Sequence, residues 1–396
     1  MKNILINIPD LSRKNGGVYQ YSLALLNVLS KKNPKKYKFY ILCNIPDNDL
    51  TKLVNDTYHF EFVKTKKPVY SSFTLYKYKI LNKIFKVFNV KKRFVKKDLY
   101  DCAIAEYCID IIHSPMQTIV VKDKIKNITT LHDVQELHFP EFFSSDDRAW
   151  RAVNYKKAID GSAAVIVSYN HIKKDIIKYF NKPENQVFTI LLDMQELWFD
   201  KIKTPDNSSL NKFNLPQKYL LYPASTWEHK NHLRLLKAIK QLNNEEIHLV
   251  CTGHQTEFYI NQIKPLLKDY NLEHKVKFLG IVEDEELYLL YQNCKAVVVP
   301  TLYEAGSFPL MESIIMGVPV ICSNVTSLPE TIGNERFVFN PYDISDIANK
   351  IELIWNDKEY IKENIKLLNI QSQKLINNKA LDKIHNVYNA ISSLNE

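Results

Sequence analysis

One stretch of the sequence, residues 296–330, sets most of what this chain can fold into. It begins with an apolar run, Ala296 to Pro300, passes through a polar loop, and carries a second apolar run from Val318 to Cys322. Between the two runs, Pro309 suits the first turn of a helix and Gly317 suits its end. The pattern predicts a strand, a loop, a helix and a second strand, which is one unit of a parallel sheet. Ligands of such sheets bind beyond the carboxyl ends of the strands, so we expect a binding site in this loop.

The predicted loop and helix carry groups that suit a ligand with both hydroxyls and phosphate. Glu304 lies in the loop, and Glu312 follows in the first turns of the helix. Between them, Ala305, Gly306 and Ser307 can turn backbone N–H groups towards an anion at the helix N-terminus. Two carboxylates beside such donors fit a nucleotide sugar, which has hydroxyls and phosphates.

Length and composition indicate a two-domain protein of the cell interior. A chain of 396 residues is long for one core, so we expect two domains. The six cysteines are scattered, with no C-x-x-C pair and no metal-type spacing, which favours free thiols in a reducing cytoplasm. No apolar run approaches the roughly 18 residues of a membrane span. The opening residues MKNILINIPD predict a first strand rather than a signal peptide.

Glycine is scarce, which draws attention to the pair Gly16 and Gly17. The chain has only eight glycines, so each is expected where a side chain would not fit. The pair stands between a predicted strand, Asn3 to Ile8, and a predicted helix, Val18 to Lys31. Small residues there let backbone N–H groups approach a phosphate. An ordinary turn explains the same pair more often, and the pattern is not G-x-G-x-x-G.

Two other positions in the first half can be interpreted either as functional residues or as structural ones. His132 follows the predicted strand Asn127 to Leu131, and the carboxyl end of a strand is where such folds do chemistry. A structural histidine bonded to a loop is an equal alternative. Asp47-Asn48-Asp49 could hold a metal and a nucleotide diphosphate, but the motif precedes a helical pattern, so helix capping is the favoured interpretation.

Residues 64–97 have the most unusual composition. Twelve residues from Lys64 to Lys97 are Lys or Arg and none is Asp or Glu, in a chain whose net charge is only +9. A helical period links the apolar positions Ile80, Leu81, Ile84, Phe85 and Phe88. Such a basic amphipathic helix suits an anionic membrane surface, but a solvated helix packed on the sheet explains it equally well. No recognised nucleic-acid motif accompanies the charge, so a nucleic-acid partner is not expected.

The second half repeats the alternation of strands and helices after a break. Residues Asp193 to Lys218 lose periodicity and predict a linker, and Tyr219 to Tyr222 starts a new series of strands. Lys230 precedes a predicted helix, Asn231 to Leu242. A lysine at a helix N-terminus is unfavourable for the helix dipole unless an anionic ligand shares the site.

These motifs together resemble a known family. The run E-A-G-S-F-P-L-M-E-S-I-I-M-G-V-P-V-I, Glu304 to Ile321, resembles the donor-binding signature of retaining glycosyltransferase family 4. Pro223 to His232 (PASTWEHKNH) and Thr130 to Glu141 (TLHDVQELHFPE) resemble that family's other landmarks, as does the Gly16-Gly17 loop. The resemblance covers nearly the whole chain in the expected order.

The resemblance implies an α/β protein of the GT-B fold, with two Rossmann-like domains facing a central cleft. We expect an N-terminal acceptor-side domain over residues 1–200 and a C-terminal nucleotide-sugar-binding domain over residues 201–375. A helix in residues 376–396 is expected to cross back to the N-terminal domain.

The resemblance also implies roles for individual residues. The expected catalytic residues are His132 against the transferring sugar, Glu304 on the donor sugar and Lys230 on the donor diphosphate. Glu312 would bind the ribose hydroxyls, and Gly17 would approach the phosphate from the N-terminal domain. The full set of expected donor contacts is Gly16, Gly17, Ser225, Lys230, Ala305, Gly306, Ser307, Phe308 and Glu312.

Two departures from the family pattern bear on the donor. Many members place an arginine where this chain has Ser225, so neutralisation of the diphosphate rests more heavily on Lys230. The usual glycine-rich run after the first glutamate is Ala-Gly-Ser-Phe here, which changes the contacts open to sugar hydroxyls. Family members typically need no metal for chemistry, and we expect neither metal nor cofactor.

The predicted function is that of a cytoplasmic retaining hexosyltransferase in bacterial surface polysaccharide or lipopolysaccharide synthesis. The donor would be a GDP- or UDP-sugar, with GDP-mannose as first choice, and the acceptor a glycan or lipid-linked glycan. Residues Lys64 to Lys97 would give peripheral contact with the inner face of an anionic membrane. Two alternatives remain: a GT-B-fold sugar-nucleotide epimerase, and a membrane- or nucleic-acid-binding protein with a degenerate nucleotide site.

Overall fold

A computed structural model describes residues 1–12, 17–31, 36–88, 96–122, 125–192 and 206–393. The described residues form two parallel sheets, each covered by helices on both faces. This arrangement confirms the predicted α/β architecture with two Rossmann-like domains. The boundary predicted at residue 200 and the first part of the predicted linker lie outside the described residues.

The N-terminal sheet has the strand order β3-β2-β1-β4-β5-β6-β7 within the described residues. Its strands are β1 (Lys2–Asn7), β2 (Tyr37–Leu42), β3 (Phe60–Phe62), β4 (Ile111–Ser114), β5 (Lys126–Thr130), β6 (Ala164–Val167) and β7 (Val187–Thr189). Its helices are α1 (Gly17–Ser30), α2 (Asn48–Asp56), α3 (Ser72–Val87), α4 (Leu99–Tyr107), α5 (Gln135–His138), α6 (Ser145–Asp160) and α7 (Asn170–Phe180), with short 3-10 turns at Pro140–Phe142 and Glu184–Gln186.

The C-terminal sheet has the strand order β10-β9-β8-β11-β12-β13. Its strands are β8 (Leu220–Pro223), β9 (Leu249–Thr252), β10 (Val276–Phe278), β11 (Ala296–Val299), β12 (Val320–Ser323) and β13 (Val338–Phe339). The helices are α8 (His232–Leu242), α9 (Lys264–Asp269, preceded by a π-helical turn at Tyr259–Ile263), α10 (Asp284–Asn293), α11 (Phe308–Met316), α12 (Leu328–Ile332), α13 (Ile344–Asn356), α14 (Lys358–Ile376) and α15 (Ala380–Ser393). Further 3-10 turns lie at Asn207–Phe213, Glu228–Lys230 and Glu335–Phe337.

Continuous apolar runs form the central strands because helices cover both faces of each sheet. All four residues of β6 and of β11 are buried, and β11 pairs with β8 and β12 in parallel register. In both sheets the strand order reverses at one place, between β1 and β4 and between β8 and β11. Ligands of doubly wound sheets bind outside the carboxyl ends of the strands at such a switch point.

The start of helix α2 shows which role the Asp47-Asn48-Asp49 motif has in the fold. The side chain of Asp47 accepts the backbone N–H of Leu50 at 2.8 Å, and Asp47 is the N-cap of α2. The hydroxyl of Tyr19 also donates to Asp47, over 2.5 Å. The capping interpretation is confirmed, and it agrees with the preference for aspartate at N-caps.

Helix α15 packs on the N-terminal sheet although it follows the C-terminal domain in sequence. Its buried side chains join the core that contains Ile4 of β1 and Phe39 of β2. Tyr388 of α15 lies with its hydroxyl 2.8 Å from Nδ1 of His113, and both residues are buried. The hydroxyl of Tyr37 donates to Oδ1 of Asn389 over 2.7 Å.

Helix α3 has the predicted helical period but not the predicted packing on the sheet. It contains no buried residue, so it is not packed into a core. The predicted single apolar face is also wrong: Leu81 and Phe85 are half-buried, whereas Ile80, Ile84 and Phe88 are exposed. The sequence showed the helical period, but not which side of the helix would meet the rest of the protein. None of the described helices combines the length and apolar character needed to cross a membrane.

Candidate functional site

The candidate site lies at the switch point of the C-terminal sheet, where the loops after β8 and β11 are bonded to each other. The backbone N–H of Leu302 donates to the carbonyl of His229 over 2.8 Å, and the hydroxyl of Thr301 donates to the same carbonyl over 3.1 Å. The two loops therefore form one unit at the carboxyl edge of the sheet.

Lys230 is held in this unit by its backbone neighbours. It ends the 3-10 turn Glu228–Lys230, and its carbonyl accepts the hydroxyl of Tyr222 over 2.9 Å. The next residue, Asn231, has a left-handed backbone with φ of 62° and donates its side-chain amide to the carbonyls of Pro300 and Pro341. Asparagine is one of the few residues that adopt this conformation readily.

Lys230 and Glu304 form an ion pair inside the site. Nζ of Lys230 lies 2.6 Å from Oε1 of Glu304, and the side chains are 18% and 11% exposed. The backbone of Glu304 is fixed on both sides: its N–H donates to the hydroxyl of Thr326, and its carbonyl accepts the hydroxyl of Ser327. The loop after β12 thus positions the carboxylate that meets the lysine.

The N-terminus of α11 adjoins Glu304 and has the properties of an anion site. The first N–H groups of a helix have no partner within the helix, and they carry its positive end. No acidic residue stands in the first turn of α11, and no side chain caps it. Ser307, the N-cap residue, is only 1% exposed, yet its hydroxyl has no hydrogen-bond partner among the residues that the structure describes. Buried hydroxyls are usually paired, so this one is available to a ligand.

Glu312 is buried on α11 beside a tyrosine. Oε2 of Glu312 accepts the hydroxyl of Tyr291 over 2.8 Å, and the Glu312 residue is 7% exposed. Burial, together with the neighbouring carboxylate, raises the pKa of Tyr291 well above its usual value, so this hydroxyl stays a donor. Tyr291 therefore orients the carboxylate of Glu312.

Ser225 lies in the loop after β8, against the glycine that ends β9. Gly253 has φ of +127°, and a Cβ on it would stand 2.7 Å from the backbone nitrogen of Ser225 and from the carbonyl carbon of Ala224. Only glycine tolerates both this conformation and this approach. Gly253 therefore lets the end of β9 support the loop that carries Ser225 and Lys230.

On the N-terminal domain, Gly17 and His132 occupy the carboxyl edge of the sheet. Gly17 is the first residue of α1 and is exposed, and within the part of the chain that the structure describes no atom lies within 4 Å of the position a Cβ would take. Gly16 lies outside the described residues. His132 stands shortly after β5, with Nε2 2.9 Å from the carbonyl of Pro115 and its backbone N–H bonded to Oε1 of Gln117.

The environment of His132 fixes its protonation. A nitrogen that faces a carbonyl carries the hydrogen, so Nε2 is the donor and Nδ1 the acceptor. Burial lowers the pKa of His132, which keeps the ring neutral. Tyr21 meets the ring edge-on, with 4.6 Å between ring centroids.

The two domains touch through Tyr169 and Asn170, which the sequence analysis did not single out. The ring of Tyr169 lies so close to Gly306 that a Cβ there would be 3.0 Å from Cε2, and the Tyr169 hydroxyl is 3.4 Å from Sδ of Met311. Asn170 donates its backbone N–H and its side-chain amide to the carboxylate of Glu330, over 3.1 and 3.0 Å. Tyr169 and Asn170 follow the carboxyl end of β6, and the end-of-strand rule that selected His132 would have found them too.

Aromatic and imidazole rings also meet across the domains. His138 and Tyr303 have ring centroids 5.6 Å apart, and Phe142 and His229 have centroids 6.0 Å apart. Burial lowers the pKa of His229 to about 3, with the charge of Lys230 adding to the effect. Neutral His229 thus carries no charge beside the ammonium group of Lys230.

The structure brings together the predicted residues of the C-terminal domain. Lys230 and Glu304 are bonded, Ser225 shares the loop of Lys230, and residues 305–308 join Glu304 to α11. Gly17 and His132 stand on the other domain, and across the described ranges no hydrogen bond or ion pair joins His132 to Lys230 or Glu304. The described residues contain no group of three or more His, Cys, Asp or Glu placed to hold a metal ion.

Comparisons with known proteins find relatives that are named glycosyltransferases. Residues 204–369 match a family model described as glycosyl transferases group 1. An O-antigen chain mannosyltransferase of Escherichia coli is 29% identical over 228 residues, which are 57% of this chain and 60% of that protein. A serotype-specific mannosyltransferase of E. coli is 27% identical over 289 residues, covering 66% of this chain and 34% of that protein. The chain thus spans 60% or less of the length of these two relatives.

Solved structures show the same fold over the whole chain. A sucrose-phosphate synthase from Thermosynechococcus elongatus superposes with a TM-score of 0.67 at 18% identity, with 100% of both chains covered. A glycosyltransferase from Rickettsia africae superposes with a TM-score of 0.65 at 18% identity, with 98% of both chains covered. The predicted GT-B fold is confirmed by these likenesses, which at such identities speak for the fold alone.

Proposed function

We propose that this chain, whose residues 204–369 match a family model described as glycosyl transferases group 1, moves a hexose from a nucleotide sugar to a glycan or lipid-linked acceptor. The observation that carries the proposal is the Lys230–Glu304 pair beside the unpaired Ser307 hydroxyl at the N-terminus of α11. A cation, a carboxylate and anion-binding N–H groups then lie at one switch point. That set matches a donor made of a sugar and a diphosphate.

The departing diphosphate is the group that this site would stabilise. As the bond from the sugar C1 to the phosphate oxygen breaks, negative charge grows on the diphosphate. The ammonium group of Lys230, the N–H groups at the start of α11 and the Ser307 hydroxyl can all donate to it. Hydrogen-bond donors that already point at this position stabilise the developing negative charge far more than water does, because they need no rearrangement during the reaction.

Glu304 and Glu312 would hold opposite ends of the donor. Glu304, next to the lysine, would accept hydroxyls of the sugar, whereas Glu312, held by Tyr291, would accept the ribose hydroxyls. Neutral His132 would face the sugar from the N-terminal domain, with Nδ1 as a hydrogen-bond acceptor. Gly17, at the start of α1, has no side chain that would keep phosphate oxygens from its backbone.

We propose a retaining reaction, in which the acceptor hydroxyl attacks the sugar from the side of the leaving group. The hydroxyl proton passes to the departing phosphate oxygen, the C1–oxygen bond to phosphate breaks, and the new glycosidic bond forms on the same face. The family resemblance supports this course, and it assigns no separate carboxylate nucleophile.

GDP-mannose is the proposed donor, with UDP-sugars as the next choice. The support is that both E. coli relatives are named mannosyltransferases, one of an O-antigen chain. The proposed product is accordingly a bacterial surface polysaccharide or lipopolysaccharide chain, built at the cytoplasmic side of the membrane.

The test combines donor binding with transfer. Thermal unfolding is measured with GDP-, UDP- and dTDP-sugars, since a ligand that binds the folded state raises the melting temperature by mass action. Transfer from the stabilising donor to extracted glycan acceptors is then followed by release of the nucleotide diphosphate. Glu304→Ala should abolish transfer, whereas Glu335→Ala, an exposed carboxylate of the same domain, should not.

Three outcomes would contradict the proposal. Full transfer by Glu304→Ala would remove the assigned role of the site. Isomerised sugar formed from the donor alone would favour the epimerase alternative. The absence of stabilisation by any nucleotide would favour a degenerate site.

A further inference from the structure

Helix α3 presents one side to the protein and leaves the other side bare. None of its residues is buried. The half-buried side chains fall on one side of the helix and are Thr74, Leu75, Tyr78, Leu81, Asn82 and Phe85. Their spacing of three and four residues is that of a single helical face. The contact of α3 with the rest of the chain is therefore already made by this face.

The opposite face is apolar and exposed. We call it the outward stripe, formed by Phe73, Tyr76, Ile80, Ile84 and Val87, which recur at spacings of three and four residues. Phe73, Tyr76 and Val87 are 66%, 62% and 74% exposed, and Ile80 and Ile84 are each 42% exposed. Phe88, which caps the helix, is 74% exposed and extends the stripe. Contiguous exposed apolar surface of this kind marks an interaction site in a water-soluble domain.

The charges around the stripe are of one sign. Lys77 and Lys83 flank it on either side, and both are exposed. Nζ of Lys77 lies 4.7 Å from the ring centroid of Phe73, so the ammonium group and the apolar surface form one patch. From Lys64 to Lys97 the sequence contains no Asp or Glu. The complementary partner is apolar in its interior and negative at its surface.

The positive charge of this face also argues against a second copy of the chain as its partner. Two copies that met through the outward stripe would bring Lys77 and Lys83 of one face against the same lysines of the other. Like charges brought together across an interface cost free energy. An anionic lipid surface removes this cost, because it attracts each lysine instead of repelling it.

We propose that the outward stripe of α3 docks on an anionic lipid bilayer. The aromatic and aliphatic side chains lie at the boundary of headgroups and acyl chains, and Lys77 and Lys83 contact the lipid phosphates. A helix that lies in the interface with its apolar side down has this arrangement. The inference goes beyond the proposed glycosyl transfer, because it depends only on the exposed surface of α3 and not on the donor site.

The test uses the full chain and vesicles of two compositions. Flotation is measured with phosphatidylcholine alone and with phosphatidylcholine mixed with phosphatidylglycerol. We expect binding to the mixed vesicles only, weakening as salt shortens the Debye length below about 10 Å. Three variants separate the contributions: Phe73→Ser with Ile80→Ser and Ile84→Ser, Lys77→Gln with Lys83→Gln, and, as matched control, Ile260→Ser with Ile281→Ser. The control residues are 62% and 77% exposed on the C-terminal domain.

The serine and glutamine variants should each lose about tenfold or more in vesicle affinity, since both apolar burial and charge contribute. The control should bind as the unaltered chain does. Equal flotation on neutral vesicles, or undiminished binding by the serine variant, would overturn the proposal. A dimer seen by light scattering that the serine substitutions dissolve, with no vesicle binding by the unaltered chain, would assign the stripe to a second copy instead. Donor binding, measured by thermal shift, should be the same in all variants, so failure here leaves the proposed function standing.

Discussion

Lys230 and Glu304 stand 2.6 Å apart at Nζ and Oε1, although their loops follow different strands of the C-terminal sheet. A diphosphate at Lys230 would compete with Glu304 for the same ammonium group. Binding of the donor would therefore change the partner of the lysine and leave the carboxylate for sugar hydroxyls. In the proposed reaction, the pair would link recognition of the phosphate to recognition of the sugar.

Lys230→Met should lose transfer and leave Glu304 without its partner. We expect kcat/KM to fall by about 10²–10³, the loss typical of removing one fixed donor from a developing anion. Lys230→Arg keeps the charge and should lose less, although the guanidinium cannot reproduce the geometry. Steady-state kinetics and donor titration check this, and an unchanged kcat/KM in the methionine variant would exclude an electrostatic role.

Gly253→Ala should destabilise the C-terminal domain more than Gly280→Ala. Both glycines have positive φ, of 127° and 74°, but only at Gly253 would a Cβ meet backbone atoms, at 2.7 Å. We expect a loss of at least about 1–3 kcal/mol of unfolding free energy at Gly253 from strain. Gly280, which has open space around it, should lose about 1 kcal/mol. Urea unfolding measures both, and equal losses would show that the backbone relaxes around the new Cβ.

Gly306→Val should weaken donor binding through the domain contact. The new side chain would occupy the place of the Tyr169 ring. Tyr169→Ala removes that ring, so the double variant should recover part of the loss. Residues in contact typically show a coupling of roughly 0.5–3 kcal/mol in a double-mutant cycle. Donor titration of the four proteins gives the coupling, and additive effects would show that Gly306 acts without Tyr169.

His232→Phe should make the protein less sensitive to acid. Burial, with a smaller contribution from Lys230, lowers the pKa of His232 to about 3, and within the described ranges neither ring nitrogen has a hydrogen-bond partner. Since the unfolded pKa is about 6.5, protons bind the unfolded chain first, and stability falls as the pH drops from about 6.5 towards 3. At pH 5 one such histidine costs about 2 kcal/mol. Phenylalanine packs against the same rings of Tyr222 and Phe278 without this cost.

Urea unfolding near pH 7.5 and pH 5 tests the effect, with about 2 kcal/mol less acid-induced loss expected in the variant. His254→Phe, at an exposed position of the same domain, is the matched control. The same acid-induced loss in both variants would contradict the assignment to His232.

Tyr388→Phe should destabilise the N-terminal domain, and Tyr388→Ala should destabilise it further. The phenylalanine variant leaves Nδ1 of buried His113 unpaired, which costs about 1–3 kcal/mol. The alanine variant also opens a cavity, with a total loss of about 3–5 kcal/mol. Urea unfolding followed by fluorescence measures the losses. Wild-type stability of the alanine variant would mean that α15 contributes little to the N-terminal core.

The parts of the fold that could be predicted were those with a local signal. Strands β6 and β11 are continuous apolar runs because both faces are buried, and α11 has its proline and glycine at its two ends. Strands β3 and β13 have three and two residues, too few for a periodic pattern, and they were not predicted. The face of α3 that meets the protein depends on neighbours distant in sequence.

The residues of the candidate site also fall into two groups, those with a local sequence signal and those without one. Glu304, Lys230 and Glu312 could be selected because residue type and position at a strand or helix end are local properties. Their roles stay predictions until the variants are measured. The contacts of Tyr169 with Gly306 and of Asn170 with Glu330 depend on how two domains meet, which no local pattern contains. The neutral state of His132 likewise depends on burial, which lowers its pKa, and its tautomer depends on the carbonyl of Pro115.

The return of α15 to the N-terminal sheet has a consequence for the order of events during synthesis. When the ribosome has made the N-terminal domain, the apolar surface that Tyr388 and its neighbours later cover is still bare. That surface is closed only after the whole C-terminal domain has emerged, so the N-terminal half completes its core last. The same helix then joins the end of the chain to the core of the N-terminal sheet.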